Sequence, residues 1–266
     1  MTGTRAPAYP MPSARRSLRL VQRNAMAYRH AWIAILSGFF EPVFYLGAVG
    51  FGVGQFIDSI PYRGAEISYA SFMAPGMLAA SVLNGALFDG FFSPFFKLSY
   101  EKTYDGILTT PVNLSDIVVG EVMWAVMRGT VYAVGFLSVM VALGLVLSAW
   151  AVLALPAVML SGAALASGAM ILTATTREIS SLEKVMTLVV FPLFLFSGTF
   201  YPVSLYPDWL RPIVQLTPLY HSASLLRGLT AGVVDVSLLW HVLYLGSMFL
   251  VCITVTIRLM HRRLTD

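Results

Sequence analysis

The strongest constraint on this chain is a series of long apolar runs, at roughly 31–54, 71–93, 116–147, 149–173, 185–200 and 238–260, that are almost free of charge. The hydrocarbon core of a bilayer is about 30 Å thick and a helix rises about 1.5 Å per residue, so about 20 apolar residues make one crossing. Inside lipid every backbone N–H and C=O must be satisfied by the segment itself or by a closed barrel. These runs lack the alternation of lipid-facing and lumen-facing residues that barrel strands show. The expected fold is therefore an all-α membrane protein with about six transmembrane helices. The fifth run is short for a full crossing and the third is long enough to project beyond the bilayer. Charge agrees: 11% of the 266 residues are charged, against about 25% in a soluble domain.

Six crossings place both termini on one side, and the basic residues say which. Thirteen of the 17 Lys and Arg fall on the N-terminal side, only Arg63, Arg211 and Arg227 on the other, and Arg128 inside a run. By the positive-inside rule both termini are cytoplasmic and the protein is a multi-pass component of the cell membrane. The net charge of +4 thus marks topology and attraction to anionic membrane lipid, and no nucleic-acid partner is expected. The single cysteine, Cys252, excludes an internal disulfide and a cysteine metal cluster.

Residues 1–30 read as a cytoplasmic tail and an amphipathic interface helix, and 31–266 as the transmembrane domain. Ala14-Arg15-Arg16-Ser17-Leu18 superficially resembles a twin-arginine signal, but Arg19, Arg23 and Arg29 break up the short apolar stretch that such a signal requires. Leu18, Val21, Ala25 and Tyr28 recur at helical spacing, as in a helix lying on the inner leaflet.

Two connections stand out. The first, near 97–111, carries Tyr100, Glu101, Lys102, Tyr104, Asp105, Gly106, Thr109 and Pro111. Tyr100 and Tyr104 are one helical turn apart, and Pro111 ends any helix at or before Thr110. Asn113 or Ser115 can cap the next helix. The spacing predicts a short helix, a break and a new span, on a surface suited to docking a cytoplasmic partner as well as to plain solvation. The second connection, before the last run, holds Gly198, Pro202, Pro207, Trp209, Pro212 and Pro218. It is apolar, yet broken by proline, and such backbone persists at membrane depth only when buried in protein or lining a wet cavity. Two short re-entrant or interfacial helices are expected, with Trp209 at headgroup level.

Charges within the runs are Glu41, Asp89, Glu121 and Arg128, costly in lipid and either structural or part of gating. Glu121 and Arg128 share a helix face, and Glu41 is the expected partner of Arg128. In the fourth run, Gly162 with Ala166 and Ala164 with Gly168 allow close helix approach. Chemistry of other kinds has no visible seat. The three lysines, Lys97, Lys102 and Lys184, do not follow glycine, so no Walker A loop is present. The histidines His30, His221, His241 and His261 are scattered, without HExxH spacing. No enzymatic activity and no cofactor are expected of the chain alone.

Three stretches together resemble the type-2 ABC exporter permeases, which include nodulation lipo-oligosaccharide export permeases and daunorubicin-resistance permeases. They are Tyr100-Glu101-Lys102 through Asp105-Gly106-Ile107-Leu108-Thr109-Thr110-Pro111-Val112 with Asp116-Ile117-Val118-Val119-Gly120-Glu121, Phe191 to Pro202, and Leu216-Thr217-Pro218-Leu219-Tyr220-His221 with Leu226-Arg227-Gly228. The resemblance implies a coupling helix between spans two and three, with Glu101 to Pro111 transmitting force. It also implies a dimer with a second, identical or homologous protomer. Each protomer would rest on a separate ATP-binding cassette ATPase subunit that binds the ATP and magnesium. The substrate would be an amphiphile, whether lipid-linked saccharide, glycolipid or lipophilic drug. The alternative is a secondary transporter driven by an ion gradient through Glu41, Asp89 or Arg128.

Overall fold

The computed structural model describes residues 12–28, 40, 42–57, 59–178 and 180–265. Helix dominates. α1 spans Ala14–Tyr28 and α2 Pro42–Phe56, the latter passing through a π turn at Leu46–Phe51. A short two-stranded antiparallel hairpin, β1 Ile60–Tyr62 and β2 Ala65–Ile67, comes next, within a chain that is otherwise helical as expected. Arg63 and Gly64 turn it with φ of 48° and 84°, the left-handed values that a tight hairpin needs. Beyond it lie α3 Tyr69–Ser99, α4 Thr103–Leu108, α5 Leu114–Ala142 and α6 Ala149–Thr175. α7 covers 180–195, again with a π turn, at Met186–Val190. α8 Arg211–Gln215, α9 Pro218–Ala231 and α10 Ser237–Thr265 complete the chain.

Among the described residues four helices, α3, α5, α6 and α10, are long and apolar enough to cross a membrane, as in a multi-pass membrane protein. The first part of the expected first span, with Glu41, lies outside the described residues, and α2 and α7 are shorter helices. α3 is the central element: 89% of its most apolar stretch is buried, against 17% for α10. α3 packs on α5, α6 and α9, while α10 lies along α6 and turns Leu239, Trp240, Leu243 and Leu250 outward. An outward apolar face of this extent suits lipid as its solvent.

The small residues of α6 act within the protomer. At the π turn Phe88–Phe92 of α3, a Cβ on Gly90 would stand 2.6 Å from the Ala166 carbonyl oxygen, so the two backbones touch there. The π turn frees carbonyls, and Thr173 of α6 donates its hydroxyl to Gly90 O (2.9 Å) and Phe91 O (3.1 Å). On the other face, Gly168 meets Met248, and Thr256 of α10 donates to Ser167 O at 3.0 Å.

α1 is helical as expected, but its buried face differs from the apolar stripe. Ser17, Leu20, Val21 and Asn24 point into α5, while Leu18 and Met26 are exposed. Contacts with α5 set this face: Arg16 reaches Asp116, Asn24 donates to Glu121, and Leu20 packs over Gly120.

Candidate functional site: a polar lock beneath the helices

The segment 97–111 is not one short helix. α3 continues to Ser99, the chain turns at Lys102 with φ 53°, and α4 starts afresh at Thr103. Tyr100 and Tyr104 therefore do not share a face. Tyr100 stays exposed against Phe96, ring centroids 5.4 Å apart, whereas Tyr104 is fully buried. Glu101, Lys102, Asp105, Gly106, Thr109 and Pro111 remain on the surface. α4 stops at Leu108, ahead of Pro111, and Thr109 and Thr110 fold their hydroxyls back onto Gly106 O and Ile107 O.

Asn113 rather than Ser115 caps α5. Its side chain accepts from the backbone of Asp116, while the Asn113 N–H donates to Asp116 Oδ2 at 2.8 Å. Asp116 also takes Ser13 N–H (2.6 Å) and Arg16 Nε (2.7 Å), so the cap of α5 is also the anchor for the start of α1. One turn further, Gly120 lets α1 approach: a Cβ there would stand 2.9 Å from that of Leu20.

Glu121, one of the charges singled out from sequence, is the hub. It is 1% exposed and receives Lys97 Nζ at 2.8 and 2.9 Å on its two oxygens, Asn24 Nδ2 at 3.0 Å and the Tyr104 hydroxyl at 3.2 Å. One carboxylate thus joins α1, α3, α4 and α5. Burial, and then the neighbouring Glu121 charge, push the Tyr104 hydroxyl well above its ordinary range, so it keeps its proton and goes on donating it.

A second ion pair lies deeper. Arg128 Nε is 2.7 Å from Asp89 Oδ2, both side chains nearly fully buried, and the guanidinium lies near the rings of Phe88 (4.8 Å), Tyr28 (5.4 Å) and Tyr132 (5.8 Å). Glu41, the expected partner of Arg128, is outside the described residues; among those described, the carboxylate beside Arg128 is Asp89. α3 and α5 are therefore joined by a ladder of alternating sign, Asp89–Arg128 above and Lys97–Glu121 below. Sliding the helices by one rung would set like charges together, which fixes their register.

At the opposite end the proline-rich connection is also pinned by backbone acceptors. Gly198 turns with φ 73°, and its carbonyl accepts from Arg227 Nη2 at 2.9 Å, while Arg227 Nε reaches Phe72 O at 2.9 Å. Arg227 lies 3.8 Å from the Phe72 ring centroid and is almost wholly buried. Pro202 leads into a 3-10 turn and Pro207 O accepts from the N–H of Leu210 and of Arg211. Pro212 sits in the first turn of α8, Pro218 opens α9, and Trp209 is exposed. Sequence reasoning missed one pairing here: the Nδ1 atoms of His221 and His241 are 2.7 Å apart, with Tyr244 stacked on His221. No local spacing announces it, because the two sit on different helices.

The exposed polar surface of α4 is thus tied through Tyr104 and Glu121 to the long helices, and no group of residues that could hold a metal ion occurs among the described residues. Comparison with known proteins gives the class. The family model for ABC-2 type transporters matches residues 17–230. Nodulation protein J of Rhizobium leguminosarum bv. trifolii is 33% identical over 218 residues, covering 81% of this chain and 82% of that protein. The protein of the same name from R. leguminosarum bv. viciae is 31% identical over 250 residues, 93% of this chain and 94% of the relative. Inner membrane transport permease YadH of Escherichia coli K12 is 29% identical over 196 residues, 70% and 73% respectively. The chain belongs to the ABC-2 type transporter family and is a permease of that family.

Proposed function

We propose that this chain is the membrane subunit of an ATP-binding cassette exporter, moving an amphiphile out of the cytoplasm or the inner leaflet. A separate ATPase subunit binds ATP and magnesium and docks beneath α4, which acts as the coupling helix with α1 as interface helix. Both termini face the cytoplasm, α8 and α9 re-enter from the outer side, and a second protomer completes the passage.

The observation that carries this reading is the Glu121 lock, through which a push on α4 reaches α1, α3 and α5 together. Of the charges that a gradient-driven carrier would use, Glu41, Asp89 or Arg128, the last two are paired with each other across α3 and α5, and Glu41 is outside the described residues. An amphiphilic cargo is supported by a cavity of about 460 Å³ between α2, α3 and α7, lined by Tyr45, Met186, Val190, Phe191 and Phe194 with Asn84 and Thr187 as its polar members.

The test is reconstitution in vesicles. The chain with its co-purified ATPase should move a lipid-linked saccharide or lipophilic drug only with ATP. The chain alone, given a proton or sodium gradient, should move nothing uphill. Gradient-driven transport by the isolated chain ends the proposal.

A further inference from the structure

On the side of the molecule that bears α4, a cleft of about 320 Å³ opens between the chain just after α4 and the last turns of α10. Leu108, Pro111 and Val112 form one wall, His261 and Leu264 the other, so residues far apart in sequence enclose it. The spacing of the walls is held from behind. Arg263 donates to the carbonyls of Thr173 and Thr176 at the end of α6 and, through Nη2, to Ser99 Oγ at 3.1 Å, immediately before the α4 turn. The cleft is thus built before any occupant arrives, which lowers the ordering cost of binding.

The exposed charges on the two elements that wall it are divided. Glu101, Lys102 and Asp105, net negative, are exposed at the start of α4, and Arg258 and Arg262 on the last turns of α10. We propose that this cleft is a second docking point for the ATPase subunit, seating an apolar side chain on a segment that is basic toward α4 and acidic toward α10. An anionic lipid headgroup matches the arginines but not the net negative charge of Glu101, Lys102 and Asp105, so a protein segment carrying both signs is the better fit. The inference rests on the reading of the chain as a permease with a separate ATPase, and adds α10 to the docking surface.

The test uses the full-length permease co-expressed with its ATPase. Leu264→Glu and Val112→Glu should each weaken retention of the ATPase by about tenfold or more, as loss of a central apolar anchor does. Leu264→Ala, which introduces no charge that could disturb folding, should weaken it in the same direction while the permease still melts as one cooperative unit. A photoreactive amino acid placed at position 264 should form its adduct with the ATPase. If Glu101→Lys with Asp105→Lys abolishes retention while all three cleft variants bind like the parent, the cleft is overturned and the permease reading stands. If no ATPase is retained by the parent chain, both fall. An adduct to lipid alone overturns the cleft as a protein-docking site.

Discussion

Removing the Glu121 carboxylate tests the lock most directly. In Glu121→Leu, the Lys97 ammonium keeps only Asn24 Oδ1, at 3.3 Å, as a partner, in a site where its side chain is 10% exposed. Stranding one member of a buried pair costs about 3–5 kcal/mol, and at about 1.4 kcal/mol per decade that is a hundredfold or more in the population of undocked states. Lys97→Met should cost less, because Glu121 retains two donors, Asn24 and Tyr104, at 3.0 and 3.2 Å. The double variant replaces the pair by apolar groups and should recover most of the loss of Glu121→Leu, giving a coupling energy above about 1 kcal/mol between the two sites. The assay is denaturant unfolding of purified permease in lipid nanodiscs, followed by tryptophan fluorescence, with Trp124 three residues from the lock. Additive single-variant losses, or a Glu121→Leu protein as stable as the parent, would refute the lock as the joint between α4 and the membrane helices.

Other contacts give three further expected outcomes. Asp116→Ala removes the α5 capping box together with the anchors for Ser13 and Arg16. It should cost about 1–2 kcal/mol and release α1, seen as faster proteolysis or hydrogen exchange across 14–28. Gly90→Ala drives a methyl against the Ala166 backbone, where no flexible atom can yield. It should destabilise the α3–α6 contact by about 1–3 kcal/mol, measured by the same unfolding assay. Asp235, held by Ser237 and then by Arg63 Nη1 at 2.8 Å, has its carboxyl lowered below the usual range. A depressed carboxylate contributes stability above its unfolded pKa and loses it as pH falls through the folded one. The tie from the hairpin to the start of α10 should therefore persist at neutral pH and release only in strong acid, which carbon-13 NMR of the Asp235 carboxyl can follow.

Much of the candidate site was legible in the chain itself. Apolar runs of membrane length declare their solvent wherever they occur, so the starts of the four long helices could be placed closely, though their ends were less well marked. Pro111 cannot continue a helix and Asn113 can begin one, so the break between α4 and α5 was readable too. The halt at Lys102 was not: its left-handed backbone conformation lets Tyr104 turn inward to Glu121 while Tyr100 stays outside. Nothing in the one-turn spacing of the two tyrosines reveals that difference.

What the sequence by itself determined is local: which segments suit lipid, which residues break them, and where along the chain the positive charge gathers. Only the tertiary structure decided the partners. Asn24 is 97 residues from Glu121 and Arg263 is 164 from Ser99. The physical reason is that a buried charge must be met wherever the packing brings a counter-group. Helical periodicity states which face a residue occupies, but not which other helix will lie against it.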